Sequence, residues 1–337
     1  MTLSNEEGSF FLPLVTPTDT LIFSHISYGE QRIAATEVFG DTVRLKARDF
    51  TLDEVAIVSE TEEAILRKVI KAISKNHDFN HTPYFSQSWK AISSLDRSIL
   101  HAFFELDGFI LHRNFIPNRE FAEIQTRARS LTPLGRAWLE NTPIYANHWL
   151  YFYVGGTYEE NVLDRPQRAN DFDVKIMGIH QEEGYTVMGL ELTPKRLTCN
   201  LRYTLHIDVE SYAVMRFKAQ PRFVKYSYQG ECEIYEDYEY EERFVEIDKV
   251  WHRLYLKQTN RCSFQDQVVL KEEFNYAQLA DWDNSKQESA LPFSSGILGN
   301  PVTTFQISWD HPYWQSRRSV PLPKWIVEHL ESKKMRP

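Results

Sequence analysis

The segment FDVKIMGIHQEEGYTVMGLELTP, residues 172–194, decides the fold: it reads as two candidate strands, FDVKIMGIH and YTVMGLELTP, joined by the tight polar turn Gln181-Glu-Glu-Gly184. The pattern continues on both sides. Between residues 149 and 275 the candidates are WLYFYVGG, then this pair, then YTLHIDVE and YAVMRFKAQ about a second turn, Asp208-Val-Glu-Ser211. RFVKYSYQ, WHRLYLKQ and QVVLKEEF follow. Long strands joined by short turns predict a large, curved, meandering antiparallel sheet, with aromatics on one face and polar groups on the other. The aromatic share of 14%, with 17 Tyr and 21 Phe, agrees, because aromatic side chains suit a pleated surface.

Upstream, FSQSWKAIS and ILHAFFELDGFILHRNF add two more strands. A helical zone is predicted near 118–140, where Phe121, Ile124 and Ala128 are three to four residues apart, with a short helix holding Trp138 and Leu139 between Pro133 and Pro143. Ser59-Glu-Thr-Glu62 fits a capping box, in which hydroxyl and carboxylate satisfy the free donors of a helix start. Ile65, Val69 and Ala72, flanked by Leu66, Ile70 and Ile73, then form an apolar stripe that Asn76 ends. Before that helix lie short strand candidates separated by turns, FFLPL, TLIFSHISYG and VFGDTVRLKA, with Val43, Leu45 and Ala47 sharing a face and Gly8 free to take a positive φ. They read as part of a β-sandwich. Residues 281–300 are a polar loop, and a short amphipathic helix begins near Pro323.

The expected class is therefore mainly β with a few helices. It divides into a partial sandwich over 1–58, a linking helix over 59–78, a large antiparallel β domain over 79–322 with its helical insert near 118–140, and a C-terminal helix and tail over 323–337.

A net charge of −9 argues against a nucleic-acid partner, since phosphate binding needs a basic surface. No apolar run is long enough for a membrane span, and no signal-peptide pattern opens the sequence. Cys199, Cys232 and Cys262 are widely spaced and form no CxxC pair, which disfavours structural zinc and allows at most one disulfide. No cofactor motif is present: there is no P-loop, no GxGxxG and no GxSxG.

The opening residues resemble the carboxypeptidase-regulatory-like domain of Bacteroidetes envelope proteins. The matching pieces are SNEEGSFFL, DTLIFSHISYGEQ and LDEVAIVS, followed by the helix AILRKVIKAISKN; Ser27 stands where that family usually has Gly. YTLHIDVESYAVMRF and SWDHPYWQSRRSVPLP resemble later segments of the larger proteins of that group. The resemblance implies a transthyretin-like sandwich at the start and a periplasmic or outer-membrane-associated location. It also implies a second domain similar to the half-barrel sheets of lipoprotein-carrier folds. The family's sandwich begins with a G-x-V-x-D strand that this sequence lacks; the expectation is a start codon lying upstream of Met1 or a domain that has lost strands.

Several residue groups are candidate sites. His180 and Glu183 form the HxxE of zinc carboxypeptidases, with His311 as a distant third ligand, but one such match is expected by chance among 11 histidines. The expectation is no metal. His77, Asp78 and His81 read as loop residues after the linking helix. The acidic and aromatic segment 231–246 reads as a solvated edge strand, its charges discouraging edge pairing. Trp282, Trp309, Tyr313, Trp314 and Trp325 read as core seams. A ligand surface is assigned to Trp149, Tyr151, Tyr153, Tyr235, Tyr238 and Tyr240.

The functional expectation is a non-enzymatic envelope protein that binds or scaffolds an envelope protein, lipid or glycan. The alternatives are a carrier of a hydrophobic ligand or lipoprotein, recognisable by an apolar cavity, and a metallohydrolase using His180 and Glu183.

Overall fold

The computed structural model describes residues 4–5, 7–12, 16–25, 28–37, 42–46, 60–77, 82–112, 119–141, 166–182, 184–195, 201–221, 225–228, 231–264, 269–279 and 320–332, with backbone alone over much of 109–126 and 221–237. Three antiparallel meanders merge into one curved, eleven-stranded sheet. The first is β3 (Thr82–Ser94), β4 (Leu100–His112) and β5 (Arg119–Ser130). The second is β6 (Phe172–Glu182), β7 (Tyr185–Pro194), β8 (Leu201–Asp208) and β9 (Val214–Pro221). The third is β11 (Glu231–Ile247), β12 (Val250–Phe264) and β13 (Val269–Leu279), with short β10 (Lys225–Tyr228) beside β11. The order is β5-β4-β3-β13-β12-β11-β9-β8-β7-β6. The predicted turns at 181–184 and 208–211 connect β6 to β7 and β8 to β9.

Three helices among the described residues cover this sheet. In α1 (Glu62–Asn76), Ile65, Leu66, Val69, Ile70 and Ile73 are at most 5% exposed and join one core with Leu190, Leu192, Leu205 and Phe217 of the sheet. Each such side chain contributes about 1.5–3 kcal/mol relative to exposure. The cap is Thr61, whose hydroxyl accepts from the Ala64 N–H at 3.3 Å, so α1 begins later than the Ser59 box suggested. Asn76 ends it as expected and donates its side-chain amide to the Ser211 carbonyl at 2.7 Å.

On the same sheet face, α2 (Pro133–Asn141) brings Trp138 and Leu139 onto Ile92, Ala102 and Val269. Gly135 permits this approach, because a Cβ there would lie 1.9 Å from the His101 carbonyl oxygen. The opposite face packs Trp89, Phe103, Phe274 and Tyr276 beneath Ile326 and Leu330 of α3 (Lys324–Ser332). The Gln87 side chain grips Val320 there, donating to its carbonyl and accepting from its N–H, both at 3.1 Å.

Two sequence expectations are corrected. Residues 119–130 are strand β5 rather than helix. The register pairs Phe121 with Ile110, Ile124 with Gly108 and Ala128 with Phe104, with an irregularity between the first two pairs. One inserted bulge residue turns a period of two into a spacing of three, which imitates a helix. The partial sandwich over 1–58 is, among the described residues, a single hairpin of β1 (Thr20–His25) and β2 (Tyr28–Ala34). Residues 10–12 and 42–46 belong to no strand, although Val43 and Leu45 do alternate with exposed neighbours. Phe11, Ile22 and Tyr28 stay exposed instead of facing a second sheet. The start of the chain is tied to the base of α3: the Asn5 amide donates to the Leu322 carbonyl and the Glu7 carboxylate accepts from the Lys324 N–H.

Candidate functional site: a polar floor between two helices

The strand registers define what α1 and α2 look down upon. One row across the sheet runs Ala219, Tyr240, Gln258, Asn275, Ser88, Leu106. The next runs Tyr238, Asn260, Glu273, Lys90, Phe104. On the other side lies Phe217, Glu242, Leu256, Ala277, Ser86. At both ends these rows join the α1 core, through Phe217, Ala219 and Tyr240 toward β9 and through Phe104 and Leu106 on β4; toward Ile92 the same face meets α2. Between those two footprints the floor is polar yet withdrawn from solvent: Ser86 and Ser88 are 0% exposed, Gln258 1%, Glu273 5% and Asn260 7%.

Part of this floor is internally paired. Lys90 bridges Glu273 at 2.5 Å, and the Asn260 Nδ2 donates to Glu273 at 3.4 Å. That donor contact fixes the orientation of the amide, since a flipped Asn260 would turn its oxygen on the carboxylate. Asn260 Oδ1 and Ser86 Oγ have no hydrogen-bond partner among the described residues. A buried polar atom left unpaired costs about 1–3 kcal/mol, so two in one floor point to groups supplied from elsewhere.

Beside the floor, beneath α1, sits a paired charge. Arg253 donates through Nε to Glu242 at 2.9 Å, Tyr240 donates its hydroxyl to the same carboxylate, and the guanidinium lies 5.9 Å from the Tyr84 ring centroid. His77, which the sequence assigned to a loop, instead caps α1 from inside the core. Its Nε2 accepts from the Val214 N–H at 3.1 Å and its ring meets Phe244 edge-on. Burial, helped by the Arg253 charge, pushes the His77 imidazole down to about 3.

The opposite face carries an ionic layer. The 231–246 segment is not an edge: β11 lies inside the sheet, and Glu239 and Glu241 pair across strands. Lys218 meets Glu241 at 3.1 Å, Lys257 meets Glu239 at 3.3 Å, and the Tyr255 hydroxyl donates to Glu241 at 2.9 Å. Although burial pushes Glu241 upward, Lys218 and Arg216 outweigh it and hold its carboxyl below the ordinary range. The charges that suggested an edge are matched by basic residues on the neighbouring strands.

Of the aromatic ligand surface proposed from sequence, Tyr240 is only 1% exposed and belongs to the core, while Tyr238 packs half-buried at its margin. Tyr235 is described through its backbone alone, and Trp149, Tyr151 and Tyr153 lie outside the described residues. So do Asp78, His81, Glu183, His311, Trp282, Trp309, Tyr313, Trp314 and Cys199, while Cys232 and Cys262 are described by backbone alone. Trp325, on α3, has the Arg97 guanidinium 5.2 Å from its ring centroid. Sequence reasoning missed Ser86, Ser88 and Asn260, because polar residues in a strand normally mark the solvent face. Only their burial, set by elements distant in sequence, distinguishes them.

No protein-family model matches the chain and no curated protein matches it, so the regulatory-like resemblance of the opening residues gains no support. Solved structures similar to the chain in fold include the following three. One is a DUF1329 family protein from Desulfovibrio piger, at 11% identity over 68% of this chain and 98% of that one, with a TM-score of 0.26. Another is a domain described as an outer membrane lipoprotein-sorting protein from Vibrio parahaemolyticus, at 12% identity over 72% and 98%, TM-score 0.26. A LolA superfamily protein from Nitrosomonas europaea aligns at 12% identity over 67% and 97%, TM-score 0.24. Identity and TM-score are too low for any function to pass from these proteins to this chain.

Proposed function

We propose that this protein is a non-enzymatic carrier that binds an amphiphile between α1 and α2, its apolar part against the α1 core and its head on the polar floor. The observation that supports this reading is that two buried oxygens of the floor, Ser86 Oγ and Asn260 Oδ1, have no hydrogen-bond partner among the described residues, beside a large apolar cluster. Asn260 Oδ1 accepts only, and the Glu273 carboxylate lies directly across from it on the next strand, so the matching head is a neutral or cationic hydrogen-bond donor rather than a carboxylate or phosphate. The envelope location implied by the opening residues belongs to the same proposal.

The test is a fluorescence titration of the whole chain with a monoacylglycerol in competition with a hydrophobic dye. Saturable, one-to-one binding is expected. Ser86→Ala should raise stability by about 1 kcal/mol, because it removes an unpaired buried hydroxyl, and yet weaken binding severalfold. Asn260→Leu should weaken it about tenfold, corresponding to roughly 1.4 kcal/mol. Binding that fails to saturate, or that neither substitution changes, would refute the reading.

A further inference from the structure

We propose that His180, Glu182 and His206 form a binding site for one divalent first-row transition-metal ion, with Zn2+ as its natural probe. Each residue presents one donor atom, and the three donors lie within 4.8 Å of one another. Two imidazole nitrogens and a carboxylate oxygen are the donor set of open three-ligand zinc sites.

The backbone assembles this trio by a specific device. In β6 the register slips between Ile176 and Gly178, so Ile179 faces the α1 core with Val174 and Ile176 while His180 and Glu182 take the other face. Without that bulge, His180 would point into the apolar core. His206 sits two strands away on β8, in the row Gly178, Gly189, His206. Because β7 contributes Gly189 to that row, the strand beside His206 carries no side chain there, and the two imidazole ring centroids are 6.1 Å apart.

Glu182 is already positioned. Its Oε1 accepts from Arg216 at 3.0 Å, which leaves Oε2 turned to His180 Nε2 at 3.2 Å. Arg216 is thus a positioning residue that occupies one carboxylate oxygen and leaves the other to the histidines. His206 Nδ1 is buried with no hydrogen-bond partner among the described residues, whereas an ordinary ion-pair network would satisfy it. Access is available, because β6 ends the order of the described strands and the His180 side chain is 30% exposed.

The sequence offers Glu183 and His311 as candidates beside His180, and the expectation from it is no metal. Glu183 lies outside the described residues and the second imidazole comes from His206 rather than His311.

The experiment is equilibrium titration of the chelator-treated whole chain with Zn2+, and with Co2+ to read ligand geometry from its visible absorption. One equivalent should bind, raise the melting temperature and give a Co2+ spectrum with nitrogen ligation. His180→Ala and His206→Ala should each weaken binding about 100-fold while far-ultraviolet circular dichroism stays unchanged. Should His206→Ala fail to fold, His180→Ala, at the more exposed position, decides alone. A wild-type chain that takes up no stoichiometric metal overturns the proposal, and so does uptake that survives loss of His180, since the ion then sits elsewhere among the 11 histidines.

Discussion

Replacing Arg253 with methionine is expected to cost about 3–5 kcal/mol of folding stability, the range for breaking a buried ion pair from one side. Arg253 is 2% exposed and Glu242 3%. Burial works against the guanidinium, but the Glu242 carboxylate opposes that penalty and keeps Arg253 above its usual range. Removing the cation strands a carboxylate beneath α1 with, among the described residues, the Tyr240 hydroxyl left to stabilise it. The double change Arg253→Met with Glu242→Leu removes both charges and fills similar volume, so most of the loss should return. Urea unfolding of the three proteins measures both effects. A loss below about 1 kcal/mol in the single variant, or a double variant no better than the single, would show that the pair is not held as described.

Mild acid should have the second large effect. His77 is buried and neutral, with its imidazole pushed from the usual 6.5 to about 3. A base depressed in this way binds fewer protons folded than unfolded, so the stability it permits is complete above pH 6.5 and drains away as pH falls toward 3. At pH 5 the loss from this residue is roughly 2 kcal/mol, and across the full window it approaches 5 kcal/mol. Carboxylates contribute in a lower window, below their own ordinary pKa values near 4, which separates the two origins. His77→Gln keeps an acceptor for the Val214 N–H while removing the titrating ring. Its stability should therefore fall less than that of the wild-type chain between pH 7 and pH 5. Parallel curves for the two proteins across that interval would assign the acid sensitivity to other groups.

The elements that were legible in sequence are those whose apolar pattern keeps strict phase. The pairs 172–182 with 185–194 and 201–208 with 214–221 were visible, as were the α1 stripe, its Asn76 stop and the α3 start after Pro323. Legibility failed where a bulge shifts the phase. In β5 the extra residue made Phe121, Ile124 and Ala128 look helical. In β6 the slip after Ile176 moved His180 and Glu182 to the face of His206, a neighbour no local pattern could disclose. The tight connection of β11 to β12 was hidden for another reason. Asp248 and Lys249 both adopt positive φ, at 51° and 67°, without the glycine that usually announces such a turn. With that hairpin unseen, the acids of β11 lacked their cross-strand partners and read as a solvated edge. The polar floor is the furthest from sequence, because burial of Ser86, Ser88 and Asn260 depends on strands β3, β12 and β13 meeting from distant parts of the chain.

The carrier reading meets its most direct test in the position of a bound amphiphile. A monoacylglycerol bearing a nitroxide next to its head group, added to isotopically labelled protein, broadens the amide signals of residues within reach. Saturable broadening should centre on Ser86, Ser88, Gln258 and Asn260 and spare the ionic face around Lys218 and Glu241. Broadening centred on the exposed apolar side chains Leu95, Ile99, Leu134 and Met177, or none that saturates, would contradict a ligand site between α1 and α2.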